Sequence, residues 1–105
     1  MQLISINAVE AQQFSLSFRE YSYRFRLLDR GKAGVFLDVY QGINPVLTGL
    51  LCLDRVRIIR SAYVRFPGDF MFVDQEGFDN PSYTGFNNRF LLYFLEEDAD
   101  DKIGL

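Results

Sequence analysis

Apolar side chains recur at every second position in several short runs of this chain, and no stretch of ten or more residues carries the spacing of an amphipathic helix. A polypeptide patterned this way is committed to strands. Phe14, Leu16 and Phe18 alternate with Ser15, Ser17 and Arg19, and Tyr21, Tyr23, Phe25 and Leu27 alternate with Ser22, Arg24 and Arg26. Little more than Arg19-Glu20 separates the two runs, which predicts a tight hairpin. Val35, Leu37 and Val39 form one face of a further strand, with Phe36, Asp38 and Tyr40 on the other. Turn chemistry interrupts these runs at Arg30-Gly31-Lys32-Ala33-Gly34, Gln41-Gly42-Ile43-Asn44-Pro45 and Asp79-Asn80-Pro81-Ser82-Tyr83. In Phe66-Pro67-Gly68-Asp69, Pro and Gly stand where a type II turn needs a preset φ and then a positive one. Short strands with turns every ~8–12 residues predict an all-β fold: a single small antiparallel β-sandwich or β-barrel of about seven to eight strands.

The closing strand is apolar on both faces. Phe90, Leu92 and Phe94 lie on one, Leu91, Tyr93 and Leu95 on the other, and Phe70 and Phe72 likewise alternate with Met71 and Val73. A single sandwich or barrel has one interior, yet a strand apolar on both faces needs cover on both. Either a tail or loop folds over the outer face or another subunit covers it, and a contiguous apolar patch marks such an interface. Burying one Phe or Leu contributes about 1.5–3 kcal/mol, so a few outward residues supply much of an assembly contact. Phe90, Tyr93 and Phe94 are the candidates for that contact.

A chain of 105 residues makes one domain with its own core. No apolar run reaches the ~18 residues that span a bilayer, and MQLISINAVEAQQ has neither the basic start nor the long apolar run of a secretory signal. The lone Cys52 sits in an apolar run and reads as a buried, inert thiol. The net charge of −3 hides a division: residues 1–70 hold nine basic against six acidic side chains, residues 71–105 two against eight. The expected organisation is an all-β domain over 1–95 and an acidic C-terminal tail over 96–105. Charge divided in this way sets register and partner choice between subunits. It makes Arg57 and Arg60 candidates for pairing with the tail acids that begin at Glu96 and Glu97.

Enzyme chemistry finds little to work with. There is no His, the commonest general base near neutral pH and the commonest metal ligand. With a single Cys as well, a Cys/His zinc site within the chain is excluded. Asp69, Asp74, Glu76 and Asp79 are the carboxylates to weigh for calcium or for a glycosidase-type pair, but their spacing matches no EF-hand loop. Asp69 and Asp79 read more simply as turn formers, and Asp74 as a strand-end partner for Arg89. Arg55, Arg57, Arg60 and Arg65 with Tyr63 and Phe66 suggest a basic–aromatic surface. Small barrels use such surfaces for single-stranded nucleic acid, so a binding module for nucleic acid or carbohydrate is the alternative class. No cofactor is expected.

The order of these pieces carries more than each alone. Phe66-Pro67-Gly68-Asp69 runs into Phe70 to Asp74 and Gly77, then Asp79-Asn80-Pro81-Ser82-Tyr83-Thr84-Gly85, then Arg89-Phe90 through Leu95. Upstream stand Leu3 to Ile6, Gly34 to Tyr40, Val46 to Leu53 and Val56-Arg57-Ile58-Ile59. Together they resemble the phage baseplate plug family, small structural proteins at the distal end of contractile phage tails. In that likeness Gly34 to Tyr40 is the central strand, Val56 to Ile59 belongs to a leucine-rich strand, and Gly68, Asp69, Asp74, Pro81, Tyr83, Gly85 and Arg89 are fold determinants. One departure is Gly85-Phe86-Asn87-Asn88-Arg89 where the family carries Gly-Leu-Gly before the Arg; Asn tolerates the left-handed region that such a turn demands. The resemblance implies a non-enzymatic virion protein assembled in the host cytoplasm and seated at the baseplate hub. It would pack against hub, tube or neighbouring baseplate proteins as an assembly subunit or homo-oligomer, with no membrane role and only incidental contact with nucleic acid.

Overall fold

The computed structural model describes residues 2–18, 21–60 and 68–96. Seven strands run through them: β1 (Gln2–Ile4), β2 (Ala11–Phe18), β3 (Tyr21–Asp29), β4 (Val35–Gln41), β5 (Asn44–Cys52), β6 (Gly68–Asp74) and β7 (Phe90–Glu96). They make two antiparallel sheets, ordered β1-β7-β6 and β2-β3-β4-β5. The sheets pack face to face, so the sandwich rather than the closed barrel is the architecture adopted.

Period-two alternation dictates what faces inward. Tyr23, Phe25 and Leu27 of β3 and Val35, Leu37 and Val39 of β4 are buried, and so are Phe70 and Phe72 of β6 and Phe90, Leu92 and Phe94 of β7. The sheets meet through rings: Phe25 and Phe14 both lie edge-on to Phe70, at 4.8 and 6.0 Å between centroids, while within the sheets Phe14 stacks on Phe25 at 5.1 Å and Phe70 tilts against Phe94 at 5.3 Å. Such aromatic pairs add about 0.5–1.5 kcal/mol beyond their burial. Cys52 ends β5 inside this core, where burial pushes its thiol well above the ordinary range and keeps it protonated.

Two local readings change in three dimensions. The loop expected over Gln41 to Pro45 shrinks to the two-residue turn Gly42-Ile43, because pairing runs on through Gln41↔Asn44 and Gly42 takes a φ of +63°. Pro45 is thereby placed on an edge strand, where its missing N–H costs no ladder bond. The second change is larger. Val56 to Ile59 is not a strand: Arg55 and Arg60 stand in the left-handed region at φ 57° and 49°, which breaks extension at both ends. The consecutive Ile58 and Ile59 are both buried, which a half-buried strand does not allow. This segment runs along the outer edge of β6, with the Arg55 N–H donating to the Phe72 carbonyl at 2.7 Å and the Ile58 N–H to that of Phe70 at 3.0 Å.

Candidate functional site

Buried carboxylates organise the end of the molecule where β6 gives way to its loop. Asp74 closes β6 with its side chain out of solvent. Arg89 grips it with a two-pronged fork, Nε to Oδ1 and Nη2 to Oδ2 at 2.8 Å each, and the N–H groups of Glu76 and Asp79 donate to the same two oxygens at 2.8 and 2.9 Å. The Arg89 hydrogen bonds hold the Asp74 carboxyl far below the usual carboxylate range, against the opposing pull of burial. Arg89 Nη2 also reaches Asp79 Oδ2 at 2.8 Å, so one guanidinium pins both ends of the 74–79 loop. From the far side, Arg55 donates to the Gly77 and Asp74 carbonyls and lies over the Phe78 ring at 4.8 Å, leaving that ring 82% exposed.

Asp69 does a second bracing job. Its Oδ1 accepts the N–H groups of Ile58, Ile59 and Phe70 at 3.0, 2.7 and 2.7 Å, and its Oδ2 accepts that of Arg60 at 2.9 Å. The expectation of a simple turn former therefore gives way to a long-range clamp that fastens the 58–60 segment to the edge of β6. Phe66 and Pro67 of the expected turn lie outside the described residues, and Gly68 already belongs to β6. A Cβ on Gly68 would fall 2.6 Å from the Phe94 ring and 2.7 Å from the Leu95 carbonyl oxygen, and one on Gly85 would fall 2.7 Å from the Phe90 ring. Both glycines are dictated by how closely backbone and ring approach. Asn87 takes φ 63°, so the turn before Arg89 is made with Asn in the left-handed region. Pro81 is buried, and the Tyr83 N–H donates to Asp29 Oδ2 at 2.9 Å, tying this loop to the end of β3.

Every buried side-chain nitrogen and oxygen among the described residues has a partner. The lone pairs of Asp69 and Asp74 are spent on backbone amides and Arg89. Among the described residues no cluster of three His, Cys, Asp or Glu is placed to share a metal.

The remaining feature is a surface. Leu3 of β1 pairs with Tyr93 of β7, which pairs with Met71 of β6; Val73 pairs with Leu91, and Leu95 lies one register step beyond Tyr93. These side chains cover the outer face of the three-stranded sheet, with Leu3 50% exposed and the others half-buried. This overturns part of the expected contact. Phe90 and Phe94, at 5% and 3% exposure, point into the core, because the four-stranded sheet lies on their side of β7. Tyr93 alone of the three candidates is on the outer face, where Leu91 and Leu95 join it. Arg57 and Arg60 are exposed, while Glu97 and the Glu96 side chain lie outside the described residues, and so does the pairing expected between them.

Of the residues offered for a nucleic-acid surface, Tyr63, Arg65 and Phe66 are outside the described residues, and the Arg55 guanidinium is engaged by the 74–78 loop. Sequence reasoning missed a different strip, on the outer face of the four-stranded sheet. There Arg24 lies over the Tyr40 ring at 4.6 Å, Arg26 donates to the Tyr40 hydroxyl at 3.4 Å, and Arg30 lies over Phe36 at 5.6 Å. Alternation put Arg24 and Arg26 on one face; only the β3–β4 register, which sets Arg24 opposite Tyr40, reveals the strip.

A small sandwich, with its internal carboxylates committed to bracing loops and one sheet carrying apolar side chains on both faces, defines a class by fold: all-β domains of two packed antiparallel sheets. The comparisons are specific about which. The model of the family described as cyanophage baseplate Pam3 plug gp18 matches residues 1–97, and the chain belongs to that family. A comparison with curated proteins gives no match. Membership makes this a phage baseplate plug protein, a component of the virion tail with a structural role among other baseplate proteins.

Proposed function

We propose that the protein works without catalysis, as a packing unit at the baseplate hub that helps close or organise the tail channel before DNA leaves, and that it joins its neighbours during assembly in the host cytoplasm. The observation that carries this reading is the outer face of β1-β7-β6. Leu3, Met71, Val73, Leu91, Tyr93 and Leu95 form a contiguous apolar patch, and at about 25 cal/mol per Å² such a patch is worth more buried than wet. The bracing of Asp69, Asp74 and Arg89 supplies the rigidity that a packing unit needs, because a preformed surface loses little entropy on docking. Neighbours that fit are hub, tube or adjacent baseplate proteins with an apolar face of their own. The test is co-purification of the full chain with the hub and tube proteins of its own phage. Leu91→Glu and Tyr93→Glu should abolish capture while leaving the melting temperature and far-ultraviolet dichroism close to wild type. Undiminished capture by both variants would remove the outer sheet face from the assembly.

A further inference from the structure

A sandwich of two open sheets has four edges, and three of them are blunted. The β6 edge is occupied by the 54–59 segment through the Arg55 and Ile58 amides. Strand β5 carries Pro45, two shifts of register against β4, and Gly49 at φ 68°. Strand β1 is only three residues long. Proline, bulges, covering segments and brevity are the devices by which proteins keep sheet edges from pairing with other chains.

Strand β2 has none of them. It runs eight residues, Ala11–Phe18, in unbroken register with β3 from Ala11↔Leu28 to Phe18↔Tyr21, and AQQFSLSF holds no charge and no proline. Antiparallel pairing fixes which backbone groups it leaves over. The Asp29 N–H donates to the Glu10 carbonyl at 2.8 Å, so the pair just ahead of Ala11↔Leu28 is hydrogen-bonded. Bonded and non-bonded pairs alternate, so Gln13, Ser15 and Ser17 aim their N–H and C=O groups at the open edge. Their side chains are exposed, and among the described residues no other backbone group bonds this edge. On the inner face, Phe14 and Leu16 pack on the core yet stay only half-buried, because the sheet ends beside them.

We infer that β2 pairs antiparallel with β2 of a second copy of this chain, across a two-fold axis centred on Ser15, to make one continuous sheet through both molecules. The strand is its own complement in this register. Ser15 meets Ser15 of the second copy, Gln13 meets Ser17, and Phe14 meets Leu16, so the half-covered apolar row continues into its counterpart and no charge opposes a charge. A two-fold axis uses one patch on both subunits, which a strand of this composition permits and a charged edge does not. The contact is separate from the apolar outer face of the other sheet and stands whichever neighbour that face meets.

Site-directed crosslinking and sedimentation of the full chain test it. A bonded antiparallel pair holds its Cα atoms ~5.5 Å apart, within reach of a disulfide. With Cys52 buried, Ser15→Cys should therefore crosslink to itself under mild oxidation, several-fold faster than Ser17→Cys, whose counterpart is Gln13. Sedimentation of the wild type should show monomer passing to dimer as concentration rises. Ser15→Lys and Ser15→Glu should each weaken self-association several-fold by placing like charges across the axis, and mixing the two variants should restore a dimer. A wild type that stays monomeric, a Ser17→Cys that crosslinks as fast as Ser15→Cys, or a Ser15→Lys dimer as tight as wild type would each overturn the proposal.

Discussion

Asp74 shows how much a single side chain carries when its surroundings satisfy every lone pair. Its two oxygens accept four hydrogen bonds, two from Arg89 and one each from the Glu76 and Asp79 amides. Asp74→Asn replaces one of those oxygens with an NH₂ that faces donors, and the fork loses its charge partner. The variant should melt well below wild type, and further below than Asp79→Asn, because Asp79 offers Arg89 a largely exposed carboxylate. The pH dependence follows from the depressed carboxyl. A group that ionises more readily in the folded than in the unfolded chain releases its proton on folding, so stability rises with pH across the interval between the two pKa values. The contribution is complete above the unfolded value of about 4 and fades as pH falls toward the much lower folded one. Denaturation curves measured from neutral pH down into acid should slope less below pH ~4 for Asp74→Asn than for wild type. Parallel curves would mean that Asp74 is not the group whose protonation drives acid unfolding.

At the scale of the element, the 54–60 segment turns on Asp69, whose carboxylate supplies the partners for three successive amides of a segment that has no ladder of its own. Asp69→Asn turns an NH₂ toward the part-buried Arg60 N–H, or toward the buried N–H groups of Ile58, Ile59 and Phe70 if the amide flips, and removes the charge that all four face; a buried N–H left unpaired costs about 1–3 kcal/mol. Hydrogen exchange should read this as faster exchange at Ile58, Ile59 and Arg60, with β3 and β4 unchanged; uniform acceleration across the domain would make Asp69 part of the global core instead. The same segment marks where sequence reading stops. Strands β2, β3, β4, β6 and β7 were legible because alternation is local and each run carries its own signal. The 54–60 segment was not: Val56-Arg57-Ile58-Ile59 has strand composition, and only the left-handed Arg55 and Arg60, with a carboxylate nine or more residues away, make it something else. Composition cannot encode a partner that distant. Asn87 was readable for the opposite reason, since its turn is satisfied within its own loop by the Phe90, Gly85 and Tyr83 carbonyls.

Across the whole molecule, the two sheets show the outside world different chemistry. The outer face of β1-β7-β6 is apolar apart from the buried Asp69 beside Leu95, and that of β2-β3-β4-β5 carries Arg24, Arg26 and Arg30 set among Tyr40 and Phe36, with the buried Asp38 opposite Arg26. That β7 has two greasy faces was plain in the sequence; which of them looks inward was not, because Phe90-Leu92-Phe94 and Leu91-Tyr93-Leu95 are equally apolar. The position of the opposite sheet decides it, through the Phe25–Phe70–Phe94 ring contacts. Two faces of different chemistry should respond differently to salt. Apolar burial does not depend on screening, whereas the reach of exposed charge shrinks from about 10 Å at 0.1 M salt to about 3 Å at 1 M. In binding kinetics with a captured tail partner, Leu91→Glu should raise the dissociation rate at every salt concentration. Arg24→Glu with Arg26→Glu should slow association at low salt only, the deficit closing as salt rises. An arginine deficit that persists at 1 M would mean that this strip is itself buried in the assembly and makes direct contacts there, so that the protein is held on both faces rather than steered by one and held by the other.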